Sequence, residues 1–310
     1  MKFEQLARPL NDAMSGRFVL VNYLPTAAGA VCVLVLVWAG APGTRLDFGA
    51  AWRTAGRVGV GEVFVLVLAV TVLSLLVQPL QLALVRLLEG TWPRWVATPF
   101  RWWQRKRRAR LARAAEVSSE EAAEVQRAGE AAVALWQRFP RDAHLVRPTA
   151  LGNVLTAMED RAGRAYGLDA VVVWPRLYPV LGEQVRAVVA DRRDSLDLAA
   201  RLSVTLALTA VVSAVLVVRA GWWLLLPLGL LVAARLAYRG CVQAAVAYGE
   251  AVEAAFDLHR FDLYEALHLP LPADVEAEKQ DNRRLSAFWR QGRPVRFEYR
   301  HKTPEDQGPE

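Results

Sequence analysis

The sequence predicts an all-α fold: four transmembrane helices in two hairpins, a helical cytosolic insert between the hairpins, and a cytosolic stalk extending the fourth span. Three observations carry this. Mean hydropathy is positive at +0.18 although 22% of the 310 residues are charged, whereas a water-soluble domain of this size is ordinarily net hydrophilic. The apolar residues gather in four stretches nearly free of charge, each close to the roughly 20 residues that a helix needs to cross about 30 Å of hydrocarbon. The basic residues, 38 against 31 acidic, flank those stretches. That is the positive-inside pattern of a membrane protein rather than the basic face of a nucleic-acid binder, and no nucleic-acid partner is expected.

The first stretch, residues 18–39, contains no Asp, Glu, Lys, Arg or His and is longer than the apolar core of a signal peptide. The second, residues 63–85, is followed by Arg86, Arg94, Arg101, Arg105, Lys106, Arg107, Arg108, Arg110 and Arg113. This run marks the cytoplasmic side. The third covers residues 198–218 and the fourth begins at Trp222, with Arg219, Ala220 and Gly221 between them as a tight hairpin. Trp222 and Trp223 suit an aromatic anchor at the outer interface. The expected organisation is therefore a first hairpin in 1–90, a cytosolic insert in 91–196, a second hairpin in 197–248, a stalk with a C-terminal helix in 249–292, and a mobile tail in 293–310. Both termini are expected in the cytoplasm of a bacterial cell, at its inner membrane; Ala, Val and Arg richness suggests a GC-rich bacterial genome.

Within the insert, residues 100–115 mix Trp102 and Trp103 with the Arg run, as in a helix lying on anionic headgroups or in a stop-transfer anchor. Ser118 and Glu121 have capping-box spacing ahead of an amphipathic run that ends at Pro140. A further helix is expected from Thr149 to Tyr166-Gly167, where glycine can take the left-handed cap. Residues 169–173 read as a short buried link, and Trp174-Pro175 as the start of another helix. After Pro179 the pattern continues through Asp191 and Asp197 into the third span. The fourth span likewise overruns the bilayer to about Leu267 before Pro270 and Pro272 stop it, and residues 273–290 can form one more charged helix.

Polar groups inside the spans are costly unless they face a cavity or a partner. At about 1.5 Å per residue, Arg235 and Gln78 both fall roughly 20 Å below the outer boundary, and Asn22 lies close to the same inner level. These groups either line a water path or gate, or Arg235 snorkels to the inner headgroups while Pro25 and Pro79 kink their helices. Arg239 lies one turn deeper and is expected to meet Asp197 and Arg201, an i,i+4 pair on the third span. On the stalk, Val252, Phe256, His259, Leu263 and Leu267 form an apolar seam, which calls for a partner helix. Glu250, Glu253, Asp257 and Arg260 lie beside it and read as a solvated face. No metal site is expected, because no matching His or Cys set accompanies them. No nucleophile elbow, phosphate loop, zinc-protease motif or paired C-x-x-C occurs, and the two cysteines, Cys32 and Cys241, fall in apolar surroundings. The sequence therefore predicts neither an enzyme nor a cofactor.

The segment Leu151-Gly-Asn-Val-Leu-Thr-Ala-Met-Glu-Asp160, with Tyr166-Gly-Leu-Asp-Ala170 and Val173-Trp-Pro-Arg-Leu177, resembles a signature of uncharacterised bacterial multi-pass membrane proteins, as does Val85-Arg-Leu-Leu-Glu-Gly90. The resemblance implies a shared architecture of two hairpins around a cytosolic insert and carries no activity. Tyr166, Gly167, Asp169, Trp174, Pro175 and Arg176 then form the corner where the insert returns to the membrane, as an interaction or coupling site or as a corner needed only for folding. The order hairpin, insert, hairpin, tail is also similar in layout to bestrophin-like anion channels, without their motifs. Two functions remain open: a membrane anchor whose cytosolic helices dock a protein partner or self-associate, and a homo-oligomeric conduit gated by those helices. A membrane-embedded enzyme without a recognisable motif is a lesser alternative. Membrane lipids and further copies of the chain are the expected partners in either case.

Overall fold

A computed structural model describes residues 24–116, 121–292 and 298–300. It is all-helical, with no strand among the described residues. The elements are α1 (Leu24–Trp38), α2 (Phe48–Ala55), α3 (Val60–Leu88), α4 (Arg94–Ala114), α5 (Ala122–Arg138), α6 (Ala150–Arg161), α7 (Ala170–Leu177), α8 (Glu183–Val217), α9 (Leu225–Ala266) and α10 (Val275–Gln291).

Two helical segments are long and apolar enough to cross a membrane, Glu183–Val217 and Gly221–Ala266. A third is reached if Phe48–Ala55 and Val60–Val72, bent by 109° at their break, count as one span. The helix expected over residues 18–39 is described only from Leu24 to Trp38, shorter than a span, and its expected start lies outside the described residues. Both candidate spans are longer than a crossing needs. With 42 residues, α9 is about 63 Å long at 1.5 Å per residue, roughly twice the hydrocarbon thickness.

The chain folds as two compact units. One comprises Met1–Thr91 with Asp194–Gln243. Its core gathers Leu36, Ala41, Val217 and Ala220, with Phe48 and Trp223 packed against them at 4.6 Å between ring centroids. Across its second hairpin, Ser203 Oγ donates to the Ala234 carbonyl at 3.1 Å, so a buried hydroxyl ties α8 to α9. Elsewhere the helices turn large apolar side chains outward: Phe64 is 70% exposed, Val215 67% and Leu225 63%. Each such side chain would forfeit roughly 1.5–3 kcal/mol of burial in water. A hydrocarbon surrounding would remove that penalty.

The other unit comprises Trp92–Arg193 with Ala244–Glu310. Its core is built from Leu151, Val154, Val173, Leu177, Phe256, Leu263 and Tyr264. Thr149 caps α6 by accepting from the Gly152 N–H at 3.1 Å, as its position predicts. The end of α6 differs from expectation. The helix stops at Arg161, because Gly163 turns left-handed at φ +71°, and a 3₁₀ turn, Arg164–Tyr166, follows it. Residues 170–173 are not a link but the first half of α7, with Asp169 at its N-cap, and Trp174-Pro175 lie inside that helix rather than opening another. Pro175 removes one backbone donor there, and α7 ends two residues later. The Ser118 half of the expected capping box lies outside the described residues; α5 begins at Ala122 with Glu121 at its N-cap.

Candidate ligand cleft between insert and stalk

The seam on the stalk does not wait for an outside helix. Val252, Phe256 and Leu263 are each at most 3% exposed, so the chain itself covers them, and over Phe256 the cover comes from the insert. The Phe256 ring stacks on Trp174 at 5.9 Å. A Cβ added at Gly163 would lie 2.9 Å from Phe256 Cδ1, so glycine is needed there for closeness as well as for its positive φ. His259 is half-buried with Gly182 beside it, and its Nδ1 is 2.5 Å from Asp262 Oδ2. Leu267, the last seam residue, is half-buried.

The neighbouring acidic row is solvated only in part: Glu250 and Asp257 are exposed, whereas Glu253 and Arg260 are half-buried. Gln137 Nε2 donates to Glu250 Oε1 at 3.0 Å. Arg161 donates to Glu253 Oε1 through Nε at 2.9 Å and Nη2 at 2.7 Å, and the same guanidinium donates to the Trp136 carbonyl and lies 4.1 Å above the Trp136 ring. The Tyr166 hydroxyl donates to Asp257 Oδ1 at 2.9 Å. Arg260 covers the Tyr166 ring at 4.1 Å and pairs through Nε with Glu278 at 2.9 Å. Burial pushes the Glu253 carboxyl above the usual carboxylate range, only partly offset by Arg161. Burial, and then Asp257, push the Tyr166 hydroxyl upward.

Between these groups and the α4–α5 hairpin lies a cleft of about 820 Å³, within the range of small-ligand pockets. Leu135, Trp136 and Phe139 supply an apolar wall, Glu253 and Asp257 the stalk side, and Arg108, Arg141 and Arg164 basic groups along its edge. Arg108 Nε donates to the Pro140 carbonyl at 3.3 Å, and Asp160 receives the Arg141 N–H at 3.1 Å and Arg164 Nη1 at 2.6 Å. These bonds hold the mouth in one shape. The Arg141 side chain is exposed. No family model matches the chain, and no curated protein or solved structure matches it.

The corner residues pack inside this unit. A Cβ at Gly167, where φ is +77°, would come 2.7 Å from the Lys279 carbonyl oxygen. Asp169 occupies the N-cap of α7 without a side-chain cap bond; its N–H donates to Ser286 Oγ at 3.1 Å, and its carboxylate pairs with Arg290. The Arg176 guanidinium lies 4.6 Å over the Trp289 ring. Ser286 is buried. Of the polar groups expected in one layer, Asn22 and the side chain of Gln78 lie outside the described residues. Arg235 and Arg239 are exposed on α9, Arg235 lying 5.6 Å from the Tyr238 ring centre. On α8, Asp197 and Arg201 are half-buried, and Arg201 Nη1 is buried with no hydrogen bond among the described residues.

Several residues that organise the site escaped sequence reasoning. Asn153, fully buried, accepts from the Arg147 N–H at 2.7 Å and donates to the Arg147 and Thr149 carbonyls at 3.1 and 2.8 Å. It thereby knots the turn before α6. Asn282, also fully buried, receives the Tyr264 hydroxyl at 2.8 Å and donates to the Tyr166 carbonyl at 2.8 Å. The signal was there: Glu278, Asn282 and Leu285 fall at i, i+4 and i+7 on one face of α10. A search for apolar stripes passes over a buried face that is largely polar.

Proposed function

We propose that the chain is a non-enzymatic protein of the bacterial inner membrane, crossing it four times in two hairpins, with its insert and both termini in the cytoplasm. The cytosolic unit docks a protein partner at the cleft beside Trp136. The observation that carries this reading is that the buried seam and the bonded acids of the stalk are engaged within the chain itself, and what remains is a preformed cleft with an apolar wall and basic edge. An apolar anchor flanked by acidic residues fits that chemistry. A photo-crosslinking residue placed at Ala132, which lines the cleft, should give a discrete protein adduct in cells, reduced at least fivefold by Arg141→Glu with Arg164→Glu. Absence of any protein adduct at Ala132 would remove the docking reading.

A second reading rests on a different observation. Arg235 and Arg239 turn outward on an apolar helix, where an oligomer would offer them a wet axis or a neighbour. Ion flux through liposomes carrying the protein, abolished or altered by Arg235→Leu, is the outcome expected of a conduit; wild type without flux ends that reading.

A further inference from the structure

Helix α4 carries its bulkiest side chains on the side that its own chain leaves uncovered. Ala97 and Gln104 are 0% and 3% exposed and mark the inward face. On the outward side Trp95 is 81% exposed, Trp102 57% and Trp103 53%. Trp95, Trp102, Lys106 and Arg113 follow one another at steps of seven, four and seven, so they share a single stripe on a helix of 3.6 residues per turn. The same stretch, RWVATPFRWWQRKRRARLARA, holds no acidic residue. Arg105, Lys106, Arg110 and Arg113 are all exposed, and Lys106 Nζ lies 3.6 Å above the Trp102 ring.

A surface of exposed tryptophans among cations, on a helix without acidic residues, is poorly suited to bulk water. It suits the headgroup layer of a negatively charged bilayer, where the rings enter the interface and the cations meet phosphate. The chain places it within reach: Glu89, Gly90, Thr91, Trp92 and Pro93 alone separate α4 from the apolar α3, a link of at most about 17 Å. We propose that the Trp95–Trp102–Lys106–Arg113 face of α4 binds anionic phospholipid headgroups. The proposal rests on the membrane reading above and goes beyond it by naming the face and the lipid charge.

The test uses the full chain, with Cys32 and Cys241 replaced by Ala and an environment-sensitive fluorophore on Ala109→Cys, reconstituted into nanodiscs. One set contains phosphatidylcholine alone, and the other includes one third phosphatidylglycerol; both carry a headgroup-level quencher. Quenching at least threefold stronger in the anionic discs, and reversed by high salt, is expected. Each cation removed among Arg105, Lys106, Arg110 and Arg113 by substitution to Gln should lower the interaction roughly fivefold. Because these side chains are exposed, retention of helicity and of disc incorporation checks that the variants are folded. A chain that fails to enter discs counts against the membrane reading. A chain that enters while the fluorophore stays equally water-exposed in both lipids overturns this proposal alone. Binding of a 20-nucleotide RNA in neutral discs, lost with the same substitutions and without anionic-lipid quenching, also overturns it.

Discussion

Arg161 holds Glu253, the Trp136 carbonyl and the Trp136 ring together at the cleft. Its side chain and that of Glu253 are 14% and 18% exposed, so removing the cation strands a buried carboxylate. Arg161→Ala should lower stability by about 3 kcal/mol, measured by denaturant titration of the detergent-solubilised protein, and Glu253→Gln in the same background should restore part of it. Glu253 also sets a pH dependence. Its carboxyl is raised on folding, so the stability linked to it is complete below the unfolded carboxylate value and is lost as pH rises through the folded value. A plot of wild-type stability minus Glu253→Gln stability should fall across that interval. A flat difference would mean that Arg161 fully offsets the burial. At Gly167, substitution by Ala combines a left-handed backbone with a Cβ 2.7 Å from the Lys279 carbonyl oxygen, and a loss of about 2 kcal/mol or more is expected from the same titration.

The decisive element is the lower part of α9. A helix of 42 residues is longer than a bilayer's hydrocarbon is thick, and its lower part is buried against the insert and α10 of the same chain. Phe256 is the pin: it is fully buried and stacked on Trp174. Phe256→Ala should cost about 3–5 kcal/mol and expose the lower part of α9 to hydrogen exchange, while exchange in residues 225–240 stays unchanged. Protection lost equally throughout α9 would mean that the helix unfolds as one piece. At the start of α10, Asp274 Oδ1 accepts from the Ala277 N–H at 2.7 Å, and Asp274→Ala should weaken α10 by about 1 kcal/mol, seen as fraying in its first turn.

At the scale of the whole molecule, the two-hairpin reading makes a geometric demand. Single cysteines at Arg53, Gln126 and Arg284 in a background lacking Cys32 and Cys241 should sort by side: Gln126→Cys and Arg284→Cys should label only from the cytoplasm, and Arg53→Cys only from outside. Labelling of Gln126→Cys and Arg284→Cys from opposite sides would break the topology. How much of this was legible beforehand follows from which forces are local. Thr149 as a cap and the continuity of α8 and α9 through and past their apolar segments were readable, because caps and helical periodicity act within a few residues. The stop of α6 at Gly163 was missed, since Gly167 carries the same local signal and only the closeness of Phe256 singles out the earlier glycine. Glu253 and Asp257 were placed on one stalk face, but their partners Arg161 and Tyr166 lie about 90 positions away in the chain (|i−j| 92 and 91).

The amino-acid order by itself determined that this chain is helical, where its apolar segments lie, and that a seam with an acidic margin runs down the stalk. Each of those depends on residue type and short-range spacing. The tertiary structure alone decided what fills the seam, which cations meet the acids, and that a cleft remains beside Trp136. Pairing across such sequence distances is chosen by shape and by the need to satisfy buried charge, and neither is written in the spacing of neighbours.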